Sequence, residues 1–172
     1  MIEIRHKGTG EVLETIDAQS LAGADLRDMR LNGADLREAD LSGANLELSD
    51  LIDADLSGAR LRGAIMLGAH LNRAKLVGAD LTRARLGSEN PSRAAVLTGA
   101  DLTRATLENA DLRNAEVRLA NLQGAVLNGA DMRGTDFHGS NLCQVTARKA
   151  LFIKANLRET NLCGGARQFF QS

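Results

Sequence analysis

Leucine, or another apolar residue, recurs every fifth position along almost the whole chain, and this period constrains the fold more than any other feature. The series runs from Ile16 through Leu21, Leu26, Leu31, Leu36, Leu41, Leu46, Leu51, Leu56, Leu61, Met66, Leu71, Leu76 and Leu81 to Leu86. It resumes one residue out of step at Leu97 and continues through Leu102, Leu107, Leu112, Val117, Leu122, Leu127, Met132, Phe137, Leu142, Ala147, Phe152 and Leu157 to Leu162. Two residues before most of these centres stands an alanine, as at Ala34, Ala44, Ala54, Ala64 and Ala74. A period of five fits neither the 3.6 of an α-helix nor the 2 of a simple strand, so the chain must turn at every repeat. If each pentapeptide forms one side of a square coil, the centre and the small residue two before it point inward, and the other three positions face solvent. Four sides converging on one axis leave room only for small side chains between the leucines, because protein interiors pack at crystal density. Glycine two residues after many centres suits a corner that needs positive φ.

Composition agrees with a thin, repetitive core. The 172 residues include no Trp, no Tyr, one Pro and 17 Gly, and 44% are hydrophobic, which suffices for one domain. The only proline lies in Gly87-Ser88-Glu89-Asn90-Pro91-Ser92-Arg93-Ala94-Ala95-Val96, which reads as a loop interrupting the repeats. Near the N-terminus, Ile2-Glu3-Ile4-Arg5 alternates, Lys7-Gly8-Thr9-Gly10 is a turn, and Glu11 to Ile16 partly alternates again. That predicts a β-hairpin capping one end, which a stacked coil requires. The expected organisation is a hairpin cap over 1–16, repeats over 17–86, a loop over 87–96, repeats over 97–164 and a tail over 165–172. In the tail, Phe169 and Phe170 either cover the last coil or form a self-association patch. Volume in the core shifts near the C-terminus: Val145 is large where Ala is usual, Ala147 small where Leu is usual, and Phe137 and Phe152 are close by.

The unit Ala-Asp/Asn-Leu-x-x, as in Gly33-Ala34-Asp35-Leu36-Arg37, Gly43-Ala44-Asn45-Leu46 and Gly99-Ala100-Asp101-Leu102-Thr103, resembles the consensus of the pentapeptide-repeat family over roughly residues 17 to 164. The resemblance implies an all-β fold, a right-handed quadrilateral parallel β-helix of about seven coils interrupted by one loop. Adjacent coils about 4.8 Å apart would make a rod on the order of 35 Å long.

No chemistry of catalysis stands out. His6, His70 and His138 are scattered, the glycines recur for turns rather than in a phosphate-binding loop, and the aspartates lack the spacing of calcium-binding β-rolls. Their expected role is to help the turn from a solvated position. No cofactor or metal is expected. No apolar run approaches the roughly 20 residues that span a bilayer, and the N-terminus lacks an apolar signal block, so the expectation is a soluble cytoplasmic protein away from membranes. Cys143 and Cys163 are one full coil apart on one face. A disulfide is geometrically conceivable there, while a reducing cytoplasm favours two free thiols.

The formal net charge of −1 hides segregation along the chain. Between Asp17 and Asp55 ten acidic residues stand against Arg27, Arg30 and Arg37, a local balance of −7; from Arg60 to Leu86 six basic residues stand against Asp80, a balance of +5. Arg148, Lys149, Lys154, Arg158 and Arg167 make the C-terminal end basic. An acidic face formed by Asp25, Asp35, Asp40, Asp50 and Asp55 is one candidate interaction surface. Leu48, Ile65 and Leu67 belong to centres one full coil apart and form a second, a small apolar patch; Leu151 and Ile153 flank Phe152. These apolar groups are read either as scattered surface residues or as docking patches.

Two functions follow as expectations. The first is a non-enzymatic binding or scaffold module, a monomer or end-to-end dimer, that presents a rigid face to an unidentified protein partner and does not bind nucleic acid directly. The second comes from the resemblance: quinolone-resistance pentapeptide proteins are rods that look like B-DNA and occupy the DNA site of DNA gyrase, and the acidic residues here would imitate phosphates.

Overall fold

A computed structural model describes residues 1–163. Beyond a short N-terminal hairpin the chain is one continuous stack of coils, and the pairing register shows why. Asp25 bridges Asn45 in parallel, Asn45 bridges Ile65 and Ile65 bridges Arg85, so each step spans four pentapeptides and closes one coil. Three other ladders run beside it, through Asp40, Arg60 and Asp80, through Asp50 and His70, and through Asp35, Asp55 and Lys75. The rod therefore has four sides.

Each side is made by the same local chemistry. The alanine two before the next centre donates its N–H back to the preceding centre, as from Ala54 to Leu51 O at 3.0 Å. The residue just before that alanine is left-handed, with φ of 65° at Gly43 and 58° at Asp53. A four-residue turn with positive φ at its third residue is the type II pattern, and it bends the chain at every corner. Glycine is not obligatory there: among the described residues fourteen of other types, Leu48, Arg73 and Lys149 included, hold the same conformation. Between coils the bonds are equally regular. Leu46 N donates to Ile65 O at 2.7 Å, Leu48 N to Leu67 O at 2.9 Å, and Ile65 N to Ala44 O at 2.9 Å.

The aspartates before the centres serve this geometry. Asp40 Oδ1 accepts the N–H of Ser42 at 3.1 Å, and Asp55 Oδ1 accepts that of Ser57 at 3.1 Å. Asn45 does the same for Glu47. A short acceptor side chain two residues before a free N–H closes an Asx turn, which is why Asp and Asn alternate freely at that position.

The interior is a single column of leucines and alanines, with every centre buried from Leu26 to Met132. Some of the small inward residues are polar, and each finds a partner. Ser49 Oγ donates to Leu46 O at 2.7 Å, Thr135 Oγ1 to Leu112 O at 2.7 Å, and Ser140 Oγ to Val117 O at 2.6 Å. Towards the C-terminal end Val145 and Ala147 are buried, and the rings of Phe137 and Phe152 meet with centroids 6.3 Å apart.

Strands β1, Ile2–Arg5, and β2, Val12–Ile16, pair antiparallel, with Ile2 opposite Ile16 and Ile4 opposite Glu14. Ile4 is buried in the same core as the leucines. The hairpin docks by continuing a ladder: Asp35 N donates to Arg5 O at 2.7 Å, and Lys7 N to Gly33 O at 2.8 Å. Backbone groups that face no earlier coil are satisfied this way.

Between Leu86 and Leu97 the ladder step lengthens, as from Arg85 to Asp111 and from His70 to Val96, by six positions beyond the usual four pentapeptides. The excess is a six-residue excursion containing a short 3-10 turn, Pro91–Arg93, started by Asn90, whose side chain accepts the N–H of Ser92 at 3.1 Å. Coils on either side stay in register.

One expectation is overturned here. Cys143 and Cys163 are not free thiols but a disulfide, with Cα atoms 4.6 Å apart. They occupy equivalent positions in adjacent coils, where the coil spacing itself brings two Cα atoms within bonding range.

Candidate interaction surface

Five aspartates read from the sequence as one acidic face do not form one. Asp35 and Asp55 are neighbours on one ladder, but Asp25, Asp40 and Asp50 each lie on a different one. A step of one, two or three pentapeptides turns the side chain to another side of the rod, and only a step of four returns it. Three of the five are also engaged by arginine. Arg27 holds Asp25 at 2.6 Å, Arg37 holds Asp35 at 2.6 Å, and Arg60 lies 3.1 Å from Asp40. The hydrogen bond from Arg27 pulls the Asp25 carboxyl down to about 2, and those from Arg60 and Ser42 do the same for Asp40.

Stacking also sets part of the acidic stretch against the basic one. The acidic stretch ending at Asp55 lies one coil from the basic stretch that starts at Arg60. Arg60 then meets Asp40, Arg73 meets Asp53 at 2.6 Å, and Arg62 reaches Asp80 at 3.2 Å. Two carboxylates of the acidic stretch, Asp40 and Asp53, are thus paired across coils with arginines of the basic stretch.

The apolar residues behave differently. Leu48, Ile65 and Leu67 do come together, because Asn45 and Ile65 are bridged and Leu48 N donates to Leu67 O. Leu48 is 55% exposed, while Ile65 and Leu67 are half-buried. Gly68 makes room for this arrangement: a Cβ there would lie 2.7 Å from Leu48 Cδ2 and 4.0 Å from Arg93 O. The leucine thus lies flat against the next coil, close to the backbone of the six-residue excursion.

That excursion is tied down on both sides. Arg93 pairs with Glu47, one residue before Leu48. Asn114 Nδ2 donates to Ser88 O at 2.9 Å, and Arg113 pairs with Glu89. A shallow cleft of about 250 Å³ lies along it, lined in part by Pro91, Ala94, Val96, Glu116 and Arg118. Sequence reasoning places the loop but not its anchors, which come from 24 to 46 positions away along the chain. Leu151 and Ile153 are exposed on the same side of the rod, farther along it, since Asp131 bridges Leu151. Phe169 and Phe170 lie outside the described residues.

Among the described residues no cluster of three or more His, Cys, Asp or Glu is placed to hold a metal ion. His6, His70 and His138 are far apart; the His6 ring accepts from the N–H groups of Gly8 and Thr9 within its own turn. No helix among them is long and apolar enough to cross a membrane.

The repeat unit, the four-sided coil and the continuous leucine column define a class of solenoid, and comparison with known proteins identifies it. The family model for pentapeptide repeats (8 copies) matches residues 20–58, 49–87, 93–129, 112–146 and 130–164. The chain belongs to the pentapeptide-repeat family, whose members form right-handed β-helices. Among solved structures it is similar to HetL, a pentapeptide repeat protein involved in heterocyst differentiation regulation from the cyanobacterium Nostoc sp. strain PCC 7120, at 28% identity over 83% of this chain and 82% of that one, with a TM-score of 0.29. It is similar to a pentapeptide repeat protein from the Arabidopsis thaliana thylakoid lumen at 31% identity over 73% and 66% of the two chains, TM-score 0.29. It is similar too to QnrB1, a plasmid-mediated fluoroquinolone resistance protein, at 21% identity over 90% and 84%, TM-score 0.46. No curated protein sequence matches the chain.

Proposed function

We propose that this protein is a non-enzymatic interaction scaffold whose docking surface for a protein partner is the side of the rod carrying Leu48 and the six-residue excursion over 88–93. The observation that carries the reading is that excursion. It breaks the regularity of one corner, is pinned by Arg93 to Glu47 and by Ser88 and Glu89 to Asn114 and Arg113, and stands beside an exposed leucine. A pre-organised loop beside an apolar contact binds without first losing conformational freedom. The ladder faces keep side chains at fixed spacing, and among the described residues the interior is filled by leucine and alanine side chains.

A DNA-like surface is the competing reading, and the arginine pairing of Asp25, Asp35 and Asp40 weighs against it. Phosphate mimicry needs carboxylates facing outward in a row; these lie on separate ladders and are largely neutralised. The experiment that tests the proposal is photo-crosslinking in cells of the source organism, with a benzophenone amino acid at position 48 or, on another ladder, at position 123. Discrete protein adducts from position 48 and none from 123 support it. Equal labelling from both, or none from 48, rejects the surface. Gyrase supercoiling, with and without a quinolone, is expected to be unaffected by micromolar protein, and inhibition or protection would favour mimicry instead.

A further inference from the structure

We infer that the Cys143–Cys163 disulfide is a redox-operated staple: reduction by a dithiol releases the last described coil, residues 144–163, and uncovers the apolar face of the coil beneath it.

The bond joins adjacent coils at the end of the described stack, where the coil it secures is the weakest. Thr146, Leu151, Asn156 and Asn161 each bridge a residue of the preceding coil, and among the described residues no further coil pairs on their other side. Ala147 stands at a centre that is leucine at Leu41, Leu61, Leu81, Leu107 and Leu127 of the same ladder, so the column is thinned there. Phe152, Leu157 and Leu162 are only partly buried, whereas the equivalent centres one coil earlier are fully covered. Three of the corner bonds here are longer than the usual 3.0 Å, at 3.5 Å from Val145 N to Leu142 O and 3.3 Å from both Ala150 N to Ala147 O and Thr160 N to Leu157 O, while Ala155 N to Phe152 O stays at 2.8 Å. Charge adds to this. Arg148, Lys149, Lys154 and Arg158 crowd one coil with only Glu159 to offset them, and among the described residues none of the four is in an ion pair, unlike Arg60, Arg62 and Arg73. A coil with one neighbour among the described residues, a thinned core and a crowd of like charges is held less firmly than the coils within the stack.

The two sulfurs differ in access. Cys143 is 4% exposed, while Cys163 is exposed. A thiolate of the dithiol attacks the Cys163 sulfur, breaking the S–S bond and forming a mixed disulfide, while Cys143 departs as thiolate and takes a proton. The second thiolate of the reductant then displaces Cys163, which is protonated in turn, and the reductant leaves as its own disulfide. Two electrons and two protons pass to the protein. Released from its staple, that coil no longer covers Leu127, Met132, Phe137 and Leu142, which then form an exposed apolar surface. This switch lies at the other end of the molecule from Leu48, so its fate does not depend on whether a partner docks there.

Hydrogen exchange of the full chain, oxidised and after treatment with dithiothreitol, tests it. The amides of Thr146, Leu151, Asn156 and Asn161, which donate to the preceding coil, are expected to exchange at least tenfold faster after reduction, with coils up to Leu122 unchanged. The double variant C143S/C163S is expected to show the fast rates without reductant and no response to it. Equal exchange in the two redox states overturns the proposal. So does finding both thiols free to alkylation in protein purified without reductant.

Discussion

Ser140 completes a turn that belongs to the coil before its own: its hydroxyl accepts the N–H of Ala120 at 3.0 Å and donates to Val117 O at 2.6 Å. Elsewhere that turn closes directly, as from Ala100 N to Leu97 O at 3.0 Å. Here a hydroxyl is inserted between donor and acceptor, and all three groups are buried. Ser140→Ala leaves both backbone groups without their partner in the core. The expected loss is about 1–2 kcal/mol, read from urea unfolding, with the midpoint lowered and the slope kept. An unchanged midpoint would mean that the turn simply closes on itself.

Gly33 and Gly43 separate conformational cost from contact. Both have φ of +65°, but a Cβ at Gly43 meets nothing within 4 Å, whereas one at Gly33 would lie 2.4 Å from His6 Nε2. Gly43→Ala is expected to cost about 1 kcal/mol, the penalty of left-handed backbone. Gly33→Ala must cost more, because it also pushes the hairpin off its ladder. Protease cleavage after Arg5 or Lys7 should accelerate in that variant alone, and His6→Ala in the same background should restore part of the loss.

Leu56 is wholly enclosed in the column. Leu56→Asp puts an unpaired carboxylate where no water or cation reaches, and destabilisation of more than about 4 kcal/mol is expected. Loss of the cooperative thermal transition in circular dichroism checks it; a folded variant would mean the interior is wetter than the structure shows.

Acid should weaken the rod in a definite window. Asp25 and Asp40 have carboxyls near 2 in the folded chain, against 3.8 for a free side chain, held down by Arg27 and Arg60 respectively. A group lowered on folding contributes stability above its unfolded value and loses it as pH falls through the folded one. The urea midpoint is therefore expected to be flat from pH 7 to about 5 and to fall between about 4 and 2. Asp40→Asn should make that fall shallower. A decline already complete above pH 5 would rule out these carboxylates as its source.

Much of this is legible in the sequence because the repeat is its own ruler. Centres from Leu21 to Leu162 can be numbered by eye, and counting four pentapeptides brings Leu48, Ile65 and Leu67 together. The same count, applied to Asp25, Asp35, Asp40, Asp50 and Asp55, separates them onto four ladders; clustering along the chain is not clustering in space. Ion pairs such as Asp53 with Arg73 are hidden for the same reason, since neighbours across coils are remote in sequence. Spacing puts Cys143 and Cys163 within reach, but an argument from compartment points to free thiols where coil geometry favours a bond. The anchors of the excursion, Glu47 and Arg113, cannot be read, because side chains reaching out of a loop follow no period.

The excursion itself offers a control for the account. Its six extra residues mean that deleting 88–93 joins Gly87 to Ala94 and restores the five-residue step from Leu86 to Leu97. That variant is expected to fold with an unchanged far-ultraviolet spectrum and sedimentation coefficient. Deleting 88–92 leaves one residue too many and should disturb the coils on both sides.

The most direct test of the docking surface combines that deletion with crosslinking from position 48. The account predicts a discrete adduct with the intact chain and its loss in the folded 88–93 deletion, with position 123 silent in both. An adduct that survives removal of the excursion, in a rod shown to be folded, would contradict it.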